Sequence, residues 1–330
     1  MGSLQLREVD KLIYRNEIRP YLPARIFDAH SHIYLKRYNT ALKSLDDSNN
    51  PLLKNVDVSD LMDWWKTLFA DSKISGLILG FPTRNCNIMA INTHLSNHVA
   101  PPNIFSILCS PEISEKELEA SIIQLQPAGL KPYMCFAKRK DFGSASIFEM
   151  IPEYQIALAH KYGLAVTLHV AKSRGMADPQ NLSDIKRLVK QYPHCNFILA
   201  HCGRCFISPN AEEMLKFLPV ADNLWIDTSA VCDTGVFLNI LSKYEKKRII
   251  FGTDLATATG FRGTYVRMGT SWNAITDDKI TGSKLLPDAT FAAYENLCAF
   301  LSAARFCKLT ESNLNDIFYE NASALFKLPL

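Results

Sequence analysis

Short apolar runs rich in β-branched residues recur along the chain, and stretches with a helical spacing of apolar positions separate them. Eight runs stand out: Arg25–His30, Ile74–Gly80, Ile104–Cys109, Ala128–Tyr133, Leu164–His169, Asn196–His201, Asn223–Thr228 and Arg248–Asp254. Runs that are apolar on both faces suit strands of a parallel sheet covered by helices. Between them, Val58–Ser72 and Ser114–Leu125 read as amphipathic helices, the second opened by Ser114 with Glu117 three residues on, a capping-box pattern. Eight strand-and-helix repeats predict an α/β fold, a closed (β/α)8 TIM barrel. The competing open, doubly wound sheet normally has fewer strands and a glycine-rich first turn, and no G-x-G-x-x-G follows any of these runs.

Two connections exceed the usual βα loop of two to six residues. One is 33–57, with the turn cluster Asp46–Pro51; the other is 255–289, with Arg262, Arg267 and Trp272. In a barrel both rise from the face where the strands end, which makes them candidates for a lid and for substrate-specificity elements. Helices predicted over Ala289–Cys307 and Glu311–Phe326 close the chain. The expected organisation is an N-terminal extension, 1–24, packed on a single barrel, 25–330. A chain of 330 residues lies within the roughly 200 to 400 residues that such a barrel occupies.

Composition then removes several classes of function. With 48% hydrophobic and 21% charged residues the chain has ample apolar surface to bury. A net charge of +3 from 36 basic and 33 acidic residues forms no basic stripe, so nucleic acid is not an expected partner. The first 25 residues carry charges throughout (Arg7, Glu8, Asp10, Lys11, Arg15), and no stretch is long enough to span a bilayer. The expectation is a cytoplasmic protein without a membrane partner. Nine cysteines, an odd number scattered partly through apolar runs, favour reduced thiols packed as small hydrophobes over a disulfide framework.

The candidate chemistry sits at the strand ends. The first run leads into Asp28-Ala-His30-Ser-His32, and residues two apart in a strand point to the same face, so His30 and His32 can offer two imidazoles to one ion. The fifth run ends at His169, the sixth at His201 and the eighth at Asp254. A lone histidine at a strand end is more often a satisfied polar residue than a ligand. Here, however, four of the chain's eight histidines and one aspartate converge on one rim of the predicted barrel. Imidazole and carboxylate together suit a divalent cation with a position left open for water, whose pKa such an ion lowers to about 7.

Taken together, Asp-x-His-x-His, the His of the fifth strand, Ala-His-x-Gly on the sixth and Gly-Thr-Asp on the eighth resemble the amidohydrolase superfamily. The branch most similar is the amidohydrolase-2 group, which includes aminocarboxymuconate semialdehyde decarboxylase. The C-terminal Asn315–Phe326, with Asn321-Ala followed by Leu-Phe, also looks like that group's closing helix, so the resemblance spans residues 25–328. It implies one divalent metal, zinc or alternatively manganese, on His30, His32, His169 and Asp254. His201 is implied as a proton-transfer or orienting group beside the metal-bound water, with Asp254 a second acid-base group. Relatives with two metals carry a carboxylated Lys on the fourth strand. Here Lys131 is followed by Pro132, which resembles the one-metal branch and makes Lys131 a candidate substrate contact instead.

Arg262 follows Asp254 by eight residues, and an arginine there can grip a carboxylate with two parallel hydrogen bonds. Arg84 and Arg174 are weaker candidates of the same kind. The expected partner is therefore a small, carboxylated molecule. Cys202 and Cys205 read as structural neighbours of His201 rather than a redox pair, and His94 and His98 as a solvated helix face. Three reactions share the implied ligands: hydrolysis of an ester, lactone or amide, taken first; non-oxidative decarboxylation; and hydration. A barrel that binds without catalysing is disfavoured because all five site positions are intact. The resemblance allows a homodimer, although no interface is legible.

Overall fold

The computed structural model describes residues 4–39, 55–256, 258–276 and 288–328. The Asp46–Pro51 turn cluster, with the rest of 40–54, lies outside the described residues, as do 257 and 277–287 of the second long connection. Eight strands follow one another round the sheet in sequence order: β1 Arg25–Ile33, β2 Lys73–Gly80, β3 Ile104–Leu108, β4 Gly129–Lys131, β5 Ala165–Leu168, β6 Asn196–Leu199, β7 Leu224–Asp227 and β8 Ile249–Ile250. Each neighbouring pair is parallel. The segment after β8 completes the ring against β1: Ala29 N donates to Phe251 O at 2.8 Å and Asp254 N to His30 O at 2.7 Å. This is the (β/α)8 barrel that the strand pattern predicts. Several strands are shorter than their apolar runs, since β5, β6 and β8 each stop before the His169, His201 or Asp254 that follows.

Phe27, Ala29, Leu77, Leu79, Ala165, Ile198, Trp225 and Ile250 form an interior cluster, joined by Ala322 and Leu325 of the C-terminal helix Asn321–Phe326. A larger cluster lies between the strands and the helices that cover them. The helix Val58–Leu68 shows how the sequence builds that layer. Asp57 caps it, and Leu61, Trp64, Trp65 and Leu68 turn one stripe inward at the three-to-four spacing of a buried helix face. The helix Glu115–Leu125 carries the reciprocal capping box of Ser114 and Glu117 that its sequence predicts.

One irregularity in β1 decides where its histidines point. The pairing with β2 runs Phe27 to Ser75 and Asp28 to Gly76, then jumps to Ser31 opposite Ile78 and His32 opposite Leu79. One extra residue in β1 switches the parity, so that Phe27 before the bulge and His32 after it both share the interior face with Leu77 and Leu79. Asp28, on the outward parity, becomes a clamp instead. Its carboxylate accepts from His30 N (3.1 Å), Thr253 N (2.9 Å), Thr253 Oγ1 (2.5 Å), Trp65 Nε1 (2.9 Å) and Ser31 Oγ, tying β1 to the helix outside it and to the segment after β8.

Upstream of β1, Tyr14 stacks on Tyr294 with centroids 6.0 Å apart, and Ile18 is fully buried. The second long connection, expected as a loop, contains an antiparallel hairpin of β9 Gly263–Met268 and β10 Ser271–Thr276. Gly269 takes its turn at φ +64°. All nine cysteines are free. Among the described residues no helix is long and apolar enough to cross a membrane.

Candidate metal centre

Three of the four ligands suggested by the sequence meet at the rim. His30 Nε2 and His32 Nε2 are 3.2 Å apart, and Asp254 Oδ1 lies 3.6 Å from the first and 3.4 Å from the second. All three side chains are almost wholly buried. Asp254 reaches this position from a left-handed backbone, φ +63°, a conformation that costs a residue with a Cβ and tends to mark functional sites.

The surrounding hydrogen bonds fix which ring nitrogens carry protons. His30 Nδ1 donates to Asp227 Oδ2 at 2.8 Å, and His32 Nδ1 donates to the carbonyl of Gly80 at 3.2 Å. Both Nε2 atoms therefore present lone pairs, and they face each other. That arrangement favours a cation close to both. Two nitrogens on one tetrahedral zinc stand about 3.3 Å apart, given metal–nitrogen distances of 2.0–2.1 Å, so the donor set fits a metal ion. Burial, with the Lys131 charge adding to it, holds both imidazoles well below their ordinary pKa and so keeps them in the ligand-competent form.

His169 stands slightly apart, outside the groups of closely spaced donors. Its ring lies 4.9 Å from that of His201 and 4.5 Å from that of Tyr133, and its buried Nδ1 has no hydrogen-bond partner among the described residues. An orphaned ring nitrogen is what a displaced or absent ligand leaves behind. His201 is oriented by a relay: its Nδ1 donates to Ser229 Oγ at 2.8 Å, which donates to Asp227 Oδ1 at 2.5 Å. The lone pair of His201 is thus left on Nε2. Asp254 Oδ2 is 3.7 Å from His201 Nδ1.

Asp227, at the end of β7, is the main residue that sequence reasoning missed. It is fully buried and receives His30 Nδ1, His201 N (2.8 Å), Ser229 N (3.1 Å) and Ser229 Oγ. His30, His201 and Asp227 form a second group of close donors. The signal was present, since the seventh run carries Asp227-Thr228 at its end, as the eighth carries Asp254.

Lys131, at the end of β4, is also fully buried. Its Nζ lies 3.1 Å from His30 Nε2, so it contacts the donor set itself. Burial pulls its pKa down to about 8, against the opposing fields of Asp254 and Asp227. Arg262 corrects an expectation. Its fork is already filled by Asp10, with Nη1 to Oδ1 at 2.8 Å and Nη2 to Oδ2 at 2.7 Å, and it further donates to Ala289 O and Gln5 O. Arg84 is exposed and donates to Arg139 O at 3.5 Å, and Arg174 is exposed too. His94 is buried rather than solvated, bonded at 2.7 Å to Asp57.

Aromatic side chains lie around the cluster. Phe206 is 5.9 Å from the His201 ring and stacks on Trp272 of β10 with centroids 4.0 Å apart. Tyr265 of β9 lies 5.4 Å from Phe206.

The family model described as amidohydrolase matches residues 139–328, more than half of the chain. The chain belongs to the amidohydrolase family. Within it the amidohydrolase-2 group is the one indicated, and the matched span contains His169, His201 and Asp254 but begins after β1. No curated protein matches the chain in sequence. Among solved structures, 2,6-dihydroxybenzoate decarboxylase complexed with 2,6-dihydroxybenzoate is 15% identical, with 93% of this chain and 100% of that one covered and a TM-score of 0.54. A dihydroxybenzoic acid decarboxylase from a Polaromonas species, with bound manganese and the inhibitor 2-nitroresorcinol, is 15% identical over 93% and 98%, with a TM-score of 0.55. The 4-oxalomesaconate hydratase of Rhodopseudomonas palustris is 14% identical over 92% and 95%, with a TM-score of 0.55. At these identities the likeness shows the amidohydrolase barrel, not the reaction. The amidohydrolase family is metal-dependent, and the closely spaced histidines and carboxylates of this chain could hold such an ion.

Proposed function

We propose that this amidohydrolase is a metal-dependent, non-oxidative decarboxylase of a small, flat, carboxylated substrate, with its ion on His30, His32, His169 and Asp254. Zinc suits this donor set, and manganese is the alternative. When bound, the ion supplies positive charge that binds and polarises substrate oxygens.

The observation that carries the reading is the setting of the donor cluster: buried, and flanked by the rings of Tyr133 and Phe206, with Tyr265 and Trp272 packed on Phe206. In a flat, conjugated acid the carbon that bears the carboxyl group must take a proton from a nearby acid, the conjugated system spreads the resulting charge, and the electrons of the breaking C–C bond return to it as carbon dioxide leaves. Aromatic walls accept such a plane by stacking. His201 and Asp254, 3.7 Å apart, are the groups placed to hold and deliver the proton that takes the place of the departing carboxyl group. Ser229 and Asp227 fix the orientation of His201 for that task. The two decarboxylases of the same fold lend support, since one holds 2,6-dihydroxybenzoate. Hydrolysis, the first expectation from the ligand motif, uses the same residues and remains the second reading because the family description is amidohydrolase.

The test is to incubate the metal-loaded protein with flat carboxylic acids, including 2,6-dihydroxybenzoate, and separately with a panel of lactones and amides. Carbon dioxide released from an acid, abolished by His201→Asn, supports decarboxylation. Acid production from the lactone or amide panel without any carbon dioxide overturns it.

A further inference from the structure

His201 opens a run of four residues with left-handed backbone: His201 (φ +55°), Cys202 (φ +53°), Gly203 (φ +69°) and Arg204 (φ +54°). Only glycine adopts that region freely, and left-handed residues normally occur singly. Asparagine or glycine would suit the fourth position on backbone grounds. An arginine held there against its conformational preference points to a side chain whose placement matters.

The turn delivers the guanidinium to the end of β5, where Nη1 donates at 2.8 Å to the carbonyl of Val170, the residue after His169. The Nε side is left over: Nε is buried and has no hydrogen-bond partner among the described residues. Among the described residues no acidic side chain pairs with Arg204, and the ionisable groups acting on it are Tyr133 and Cys205. A buried cation normally has a partner anion, because leaving water uncompensated is costly. The contrast with Arg262, whose fork is filled by Asp10, is direct.

The position faces the site already described. After burial itself, Arg204 is the first charge that lowers the proton affinity of His169, and it acts on His201 as well. Its guanidinium carbon is 6.0 Å from the Trp272 ring centre, and Trp272 is stacked on Phe206. The unpaired cation therefore sits where the aromatic wall meets the histidines.

We infer that Arg204 is a specificity-determining residue, which receives a carboxylate of the substrate on its free Nε side while the substrate's plane lies along the Phe206–Trp272 wall. A guanidinium edge takes a carboxylate with two parallel hydrogen bonds, which a lysine cannot reproduce. The inference rests on the reading that the substrate is a flat carboxylate, and it names the residue that selects for it.

The test is calorimetric binding of 2,6-dihydroxybenzoate and of resorcinol, which differs by lacking the carboxylate, to the zinc-loaded protein. Arg204→Asn removes the charge while tolerating the left-handed backbone, so its Tm and zinc content should match the wild type. It is expected to weaken 2,6-dihydroxybenzoate roughly 10- to 100-fold, leaving resorcinol within about twofold. Arg204→Lys, expected to fall between wild type and Arg204→Asn, decides the matter if Arg204→Asn fails to fold: equal affinity of Arg204→Lys and wild type for the acid would count against the fork. Equal weakening of both ligands, or of neither, overturns the assignment of Arg204 alone. Wild-type protein that binds zinc but neither this acid nor other flat carboxylates overturns the substrate reading with it.

Discussion

Asp227 Oδ2 accepts the Nδ1 proton of His30 at 2.8 Å, and that one bond settles which nitrogen of His30 faces the donor cluster. Such a carboxylate behind a metal-binding imidazole fixes its ring and raises its basicity, and losing it typically costs 10- to 100-fold in metal affinity. Asp227→Asn should therefore bind zinc about 10- to 100-fold more weakly in a chelator competition, with the barrel still folded by circular dichroism. Unchanged affinity would remove Asp227 from the account.

Lys131 competes with the metal for the same electrons. Its Nζ is 3.1 Å from His30 Nε2, and burial brings its pKa down to about 8. If the ion enters only once this amine is neutral, apparent metal affinity should rise by about fivefold between pH 7 and pH 8. Lys131→Met should flatten that slope and bind metal about tenfold more tightly at pH 7. Loss of metal in Lys131→Met would show instead that the lysine is itself a ligand.

Acid should destabilise the metal-free protein. An imidazole in the unfolded chain takes up a proton near pH 6.5, whereas burial keeps His30, His32, His169 and His201 neutral to well below that. Between the two values the unfolded state binds more protons, so stability rises with pH through this window and is lost as pH falls. Asp254, whose carboxyl burial pushes well up, works the other way, and Asp28 does so too. The four imidazoles are expected to outweigh them. Urea denaturation in EDTA should give a lower midpoint at pH 5.5 than at pH 7.5, and an equal or higher midpoint would contradict the assigned protonation states.

Arg262 and Asp10 form a buried pair, 10% and 0% exposed, joining the N-terminal segment to the connection that carries the hairpin. Removing one partner of such a pair costs about 3–5 kcal/mol because the other is left buried and unpaired. Arg262→Met should lower the denaturation midpoint accordingly and leave ligand affinity at the metal site unchanged. A large loss of carboxylate affinity with unaltered stability would restore the role that its position after Asp254 suggests.

Most of the barrel was legible because each strand and helix declares its burial through local periodicity. Strand order then placed His30, His32 and Asp254 on one rim without further information. Three things were not legible. The bulge in β1 that turns His32 onto the face of Phe27 depends on pairing with β2, which no periodicity within β1 records. Arg262 looked free because its partner, Asp10, lies 252 residues away in the segment before the barrel. Arg204 looked like part of a Cys-x-x-Cys loop, since nothing in Cys202-Gly-Arg-Cys205 announces four successive left-handed residues.

The central claim is a single metal ion held by the β1 histidines with His169 and Asp254. Elemental analysis of purified protein after loading and desalting tests it most directly, comparing wild type with His32→Ala and Arg262→Met. The account predicts about one equivalent of zinc or manganese per chain in wild type and Arg262→Met, and loss of most of it in His32→Ala. Equal metal content in wild type and His32→Ala, or none in either, would contradict it.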